Sequence, residues 1–145
     1  MLCGSGNEGF EMNVVVDTNI LARLVTKDDP LQFKAAANTF MAADKIVVPV
    51  VVFCELAWVL RASYKCDGAF IAAAIRGILN NKKVVAEDDA VLAGLRMLDD
   101  GGDFADGVVQ YTGSVLAGGP STYASFDQAA VSRLSVRGIA AMVPR

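Results

Sequence analysis

The chain has 145 residues, 54% of them hydrophobic, with 13 Lys and Arg against 16 Asp and Glu, a formal charge of -3, and no histidine. That length suits one domain with a real core, and the missing histidine excludes a Ser-His-Asp triad, a Cys-His pair and any imidazole-based ribonuclease or zinc site. The acidity argues against a broad basic nucleic-acid-binding face, although two bound divalent cations would turn -3 into +1 and put positive charge where a phosphate must sit.

Residues 1–11 are rich in Gly and polar side chains, without periodicity, and read as an extension outside the folded domain, disordered or inherited from an upstream start. No basic stretch precedes an apolar segment there, and no apolar run reaches the length of a membrane span. The uncharged stretch from Gly107 to Phe126 is interrupted by four glycines and Pro120. Cys3, Cys54 and Cys66 are odd in number and lack metal-finger spacing, so free thiols in a reducing cytoplasm are expected.

Three consecutive valines, Val14 to Val16, predict a short strand buried on both faces, a central parallel strand, and Asp17-Thr18 stands where a helix begins. In open α/β sheets ligands bind at the carboxyl ends of the strands, although Asp, Thr and Asn also cap helices. The helix from Thr18 turns Leu21, Leu24 and Val25 inward, and a second follows Asp28-Asp29-Pro30 to about Ala43. Ile46 to Val48 reads as a strand, Pro49 opens a helix to about Tyr64, and another helix covers Asp67 to Leu79. A strand near Lys83 to Ala86 leads into a helix from Asp88 that ends at Asp99-Asp100-Gly101-Gly102. Helix from Asp103 to about Leu116, strand at Thr122 to Ala124, helix from Asp127 to about Leu134 and strand at Ile139 to Val143 complete the chain. Strands alternating with helices predict a mostly parallel sheet covered on both faces.

Glu55 is the only charge between Ile46 and Leu60. In so apolar a helix it needs a metal, a basic partner such as Arg23 or Arg61, or an edge of solvent. Asp103 and Asp106 share a helix face three residues apart, either as a capping-box-like start or with Asp106 directed into a site. Asp127 follows a strand and either caps the last helix or joins that site. Asp28-Asp29, Asp88-Asp89 and Asp99-Asp100 read as solvated charges at helix ends. Asp17, Glu55, Asp106 and Asp127 each fall at or near a helix start after a strand or glycine turn, positions that a doubly wound sheet gathers at one rim.

The strand with Asp-Thr-Asn-Ile-Leu-Ala-Arg (Val14 to Arg23), Asp28-Asp29-Pro30, Cys54-Glu55-Leu56, Asp103-Phe104-Ala105-Asp106 and Ser125-Phe126-Asp127, in that order, resemble a PIN-domain ribonuclease of the VapC toxin type. The resemblance covers nearly everything from Met12 to Arg145 and implies a three-layer α/β/α fold with a central, mostly parallel sheet. It implies an acidic pocket for Mg²⁺ or Mn²⁺ built by Asp17, Glu55, Asp106 and Asp127, supported by Asp103 and by Thr18 or Asn19. An RNA substrate, a homodimer and a cognate antitoxin over the site are implied as well. Gly107 stands where such proteins commonly have alanine, which is expected to loosen that helix. Oxygen donors without histidine suit Mg²⁺ or Mn²⁺ rather than zinc. Basic residues near the rim, Arg23, Lys27, Arg61, Lys65, Lys82, Lys83, Arg133 and Arg137, form the pool for RNA contact, and Val50 to Leu60 with Ala69 to Leu79 the apolar surface for partners. Two other functions compete: a PIN-like binding scaffold without activity, and an Asp-nucleophile phosphohydrolase of the haloacid dehalogenase type. The second acid that class places two residues on is Asn19 here, and no lysine follows Lys83.

Overall fold

The computed structural model describes residues 11–145. The extension expected over residues 1–11 therefore lies outside the described residues except for Glu11, whose carboxylate stands 3.5 Å from Lys45.

Three short strands, β1 (Asn13–Val15), β2 (Lys45–Val48) and β3 (Val84–Ala86), form a wholly parallel sheet in the order β1-β2-β3. Val14 pairs with Ile46, and Ile46 with Val84. Parallel neighbours require long crossovers, supplied here by helix pairs: α1 (Thr18–Thr26) with α2 (Pro30–Ala42), then α3 (Val50–Ala62) with α4 (Gly68–Leu79). After β3 come α5 (Asp88–Asp99) and α6 (Phe104–Ala117), the most extensively packed pair of helices. The chain ends with β4 (Tyr123–Ala124), α7 (Gln128–Val136) and β5 (Ala141–Met142), where β4 and β5 make a separate two-stranded parallel sheet. The architecture is the expected α/β/α one: among the described residues, seven helices about parallel sheet.

The core is apolar throughout, with no buried polar or charged side chain among the described residues. Phe53, Leu56 and Leu60 of α3, Ile71 and Ile75 of α4, and Phe104 of α6 are fully buried. Each contributes about 1.5–3 kcal/mol of apolar transfer free energy. Helix ends follow local chemistry. Asp29 caps α2 by accepting from the Gln32 amide at 3.0 Å, with Pro30 in the first turn. Pro49 cannot cap α3 with a side chain; Glu87, beyond the end of β3, accepts from the Val50 amide at 2.6 Å instead.

Two expectations are corrected. β1 is an edge strand, not a central one: Val15 is 68% exposed while Val16 is buried. A run of valines reads alike on an edge and in the middle of a sheet, because β propensity records fit to a pleated surface, not the number of neighbours. Gly107 does not loosen α6. A methyl group there would come within 2.4 Å of the Ala93 carbonyl oxygen, so the glycine is what lets α6 lie against α5.

Candidate active site

Asp17 leaves β1 as the N-cap of α1, its carboxylate accepting from the Ile20 amide at 3.2 Å. Thr18, the first residue of α1, donates its hydroxyl to Glu55 Oε1 at 2.7 Å and so ties α1 to α3. Asp17, Thr18, Asn19, Cys54, Glu55 and Trp58 line a cleft of about 540 Å³. Asp17 and Asn19 also border a second cleft, of about 410 Å³, between α1 and α2, which places them on a ridge between the two. Of the three surroundings expected for Glu55, the structure shows the edge of solvent: its side chain is exposed and forms no ion pair with Arg23 or Arg61 among the described residues. Burial, and then the charge of Glu55, push the Cys54 thiol up, away from the thiolate form.

The other two acids, Asp106 and Asp127, act on one another. Asp106, half-buried in the first turn of α6, accepts from the Tyr123 hydroxyl at 3.3 Å. Burial first, then the charges of Asp103 and Asp127, raise its carboxyl above the ordinary range, while the Tyr123 hydrogen bond and Arg133 act the other way. Burial and Asp106 in turn raise the Tyr123 phenol. Asp127 caps α7 through the Ala130 amide at 3.0 Å. Asp103 occupies the N-cap position of α6 yet makes no side-chain capping bond, so the capping box, one of the two readings open to this turn, is not formed.

Two links between predicted acids are thus on view, Asp17 with Glu55 along one cleft and Asp106 with Asp127 by charge. Among the described residues no three His, Cys, Asp or Glu side chains are close enough together to hold a metal ion. The donors are all hard oxygens, as Mg²⁺ or Mn²⁺ requires; neither pair alone encloses an ion.

Several acids expected to be solvated are paired. Asp28 accepts from Arg23 and from the Tyr64 hydroxyl, which with Thr26 holds its carboxyl below the usual range. Asp99 pairs with Arg76 and Asp100 with Arg137. This removes Arg23 and Arg137 from the freely available RNA-contact pool, and Lys83 is occupied with the Phe40 and Met41 carbonyls at 3.0 Å. Sequence reasoning missed Tyr123 and Trp58. Trp58 had a signal, since it lies three residues after Glu55 on the same helix face; Tyr123 had none, because its partner is 17 residues away.

A search of curated proteins finds no match to the chain. The PIN domain family model matches residues 14–108, the greater part of the chain, including Asp17, Glu55, Asp103 and Asp106 and stopping before Asp127. PIN domains are generally nucleases and usually use divalent metals. The match starts at the strand that delivers Asp17 and ends on the helix that carries Asp106, so the family signature runs over Asp17, Glu55 and Asp106, and the chain belongs to the PIN domain family.

Proposed function

We propose that this nuclease-family chain is a metal-dependent endoribonuclease and the toxin of a type II toxin-antitoxin pair of the VapC kind. The observation that carries the reading is the placement of Asp17 and Glu55, linked through Thr18, at the wall of the 540 Å³ cleft beyond the carboxyl end of β1. Ligands of open α/β sheets bind at this rim, and carboxylates there suit a phosphodiester once cations stand between the two. Asp17, Glu55, Asp106 and Asp127 are the residues to hold Mg²⁺ or Mn²⁺. A bound ion would acidify a water and neutralise charge on the phosphoryl oxygens. The chain's own part is to offer oxygen donors, to keep Glu55 oriented by the Thr18 hydroxyl, and to hold Asp106 beside Tyr123.

Exposed Trp58 and Val51 on α3, 67% and 59% accessible, support a partner surface beside the cleft for an antitoxin or a second copy. No helix of the described residues is long and apolar enough to cross a membrane.

The test is cleavage of labelled total RNA by the antitoxin-free chain in Mg²⁺ or Mn²⁺. Discrete fragments are expected that vanish with EDTA and fall at least about 100-fold in Asp17→Asn and Asp106→Asn. Cleavage that persists in both variants would remove the acids from the chemistry. No cleavage of any RNA, with the fold intact, would favour the scaffold reading, for which the capping bonds of Asp17 and Asp127 already supply a structural role.

A further inference from the structure

Beside the second acid pair the chain gathers positive charge. Arg96, in the last turn of α5, lines one narrow crevice with Asp100, Arg133 and Arg137. Arg133 and Arg137 also line an adjoining groove of about 430 Å³. Three arginines therefore line one crevice, two of them, Arg137 and Arg133, acting on the Asp100 carboxylate, in a chain whose formal charge is -3.

The three are not equally engaged. Arg137 is clamped by the Asp100 carboxylate through Nε and Nη2, the latter at 2.8 Å. Among the described residues Arg133 donates only its Nε, to the Asp100 backbone carbonyl at 3.2 Å, and its charge acts on the Asp100 and Asp106 carboxylates through space without an ion pair. Arg96 is exposed and enters no ion pair among the described residues. Arginine carries five N–H donors in a planar fork suited to phosphate oxygens, and among the described residues most of those on Arg96 and Arg133 find no acceptor.

The turn before Asp103 sets this placement. Gly101 adopts φ +87°, and a methyl group on Gly102 would lie 3.1 Å from Arg133 Cδ and 2.6 Å from Met97 Sδ. Bare backbone at these two positions lets Arg133 lie across the turn that leads into Asp103 and Asp106. Arg133 is close enough to favour the Asp106 charge through space.

We propose that Arg96 and Arg133 form a backbone-phosphate subsite for single-stranded RNA, gripping a phosphate that flanks the bond to be cut, with Arg137 held as a brace by Asp100. The inference rests on the ribonuclease reading and adds to it the residues that grip the strand. An acidic peptide would meet the same arginines. RNA is favoured because the adjoining carboxylates belong to the proposed cleavage site, which a peptide would not use.

The experiment measures anisotropy of a labelled single-stranded oligoribonucleotide pool on the full chain across a salt series, in EDTA and in Ca²⁺. It compares wild type with Arg96→Gln, Arg133→Gln, the double variant and Arg96→Lys. Each lost phosphate contact should flatten the log affinity against log salt slope by about 0.7, hence about 1.4 in the double variant. Low-salt affinity should fall roughly threefold to tenfold per arginine, with Arg96→Lys intermediate. In cleavage assays the same loss should appear in KM rather than kcat.

An unchanged slope in the double variant overturns the subsite, as does absence of wild-type binding in both buffers; cleavage that still needs Asp106 would then leave the ribonuclease reading intact. An arginine-dependent slope without cleavage in any metal supports the subsite and overturns the ribonuclease reading. Arginine-dependent binding of a polyglutamate peptide without binding of RNA overturns the RNA assignment. If Arg133→Gln does not fold, Arg96→Gln carries the test alone, with a slope change of about 0.7 supporting the subsite and none overturning it.

Discussion

Asp106 is held in conflict with its surroundings: burial, then Asp103 and Asp127, raise its carboxyl above the ordinary value of 3.8. Between that value and the raised one the folded chain binds more protons than the unfolded chain, so this contribution to stability is present below the ordinary value and is lost as pH rises through the raised one. Asparagine has no charge to repel, and its amide oxygen still accepts from Tyr123. In metal-free buffer, Asp106→Asn should therefore melt above wild type at pH 7, with the difference shrinking to nothing as pH falls below about 4. Paired thermal melts across that range check it; a lower melting temperature at pH 7 would show that Arg133 and Tyr123 outweigh the repulsion. Asp17 and Glu55 were legible as candidates from their immediate neighbours, one closing a valine run and the other alone in an apolar helix. The pairing of Asp28 with Tyr64 was not, because the partners lie 36 residues apart and nothing local joins them.

At the scale of elements, α5 and α6 approach so closely that two glycines become packing residues. Besides the contact of a Gly107 methyl with the Ala93 carbonyl, a methyl on Gly94 would meet the Phe104 ring at 2.5 Å. Gly113, in the same helix as Gly107, faces open space. Gly107→Ala should therefore cost about 1–3 kcal/mol, lowering the melting temperature by roughly 3–10 °C. Gly113→Ala should stabilise by about 0.4–1 kcal/mol. Chemical denaturation of the two variants side by side separates close packing from helix propensity; equal shifts of the same sign would refute the close approach. Every helix and strand was legible because apolar period, Pro and Gly punctuate this chain clearly. The sheet order was not: strand pairing is a long-range choice, and three valines carry no record of how many neighbours β1 acquires.

At the scale of the molecule the four candidate acids come from different elements, Asp17 and Asp127 capping α1 and α7, Glu55 on α3 and Asp106 on α6. Asp17 and Glu55 line one cleft, while Asp106 and Asp127 act on one another, as two pairs. If both pairs serve one ion, binding draws on the folded state alone and must stabilise it. Mn²⁺ should then raise the melting temperature of wild type, by an amount that grows with concentration, and should leave Asp17→Asn and Asp106→Asn unmoved. Loss of the shift in only one variant would assign the ion to a single pair, and equal shifts in all three would place it elsewhere.

The link between Glu87 and the Val50 amide has a consequence for exchange of backbone protons. The first amides of a helix normally exchange with solvent freely, because no carbonyl of their own helix accepts from them. Here the acceptor of that first proton sits 37 residues along the chain, just beyond β3. Exchange at Val50 thus reports separation of that junction from α3, the helix that bears Glu55, rather than fraying of one helix end.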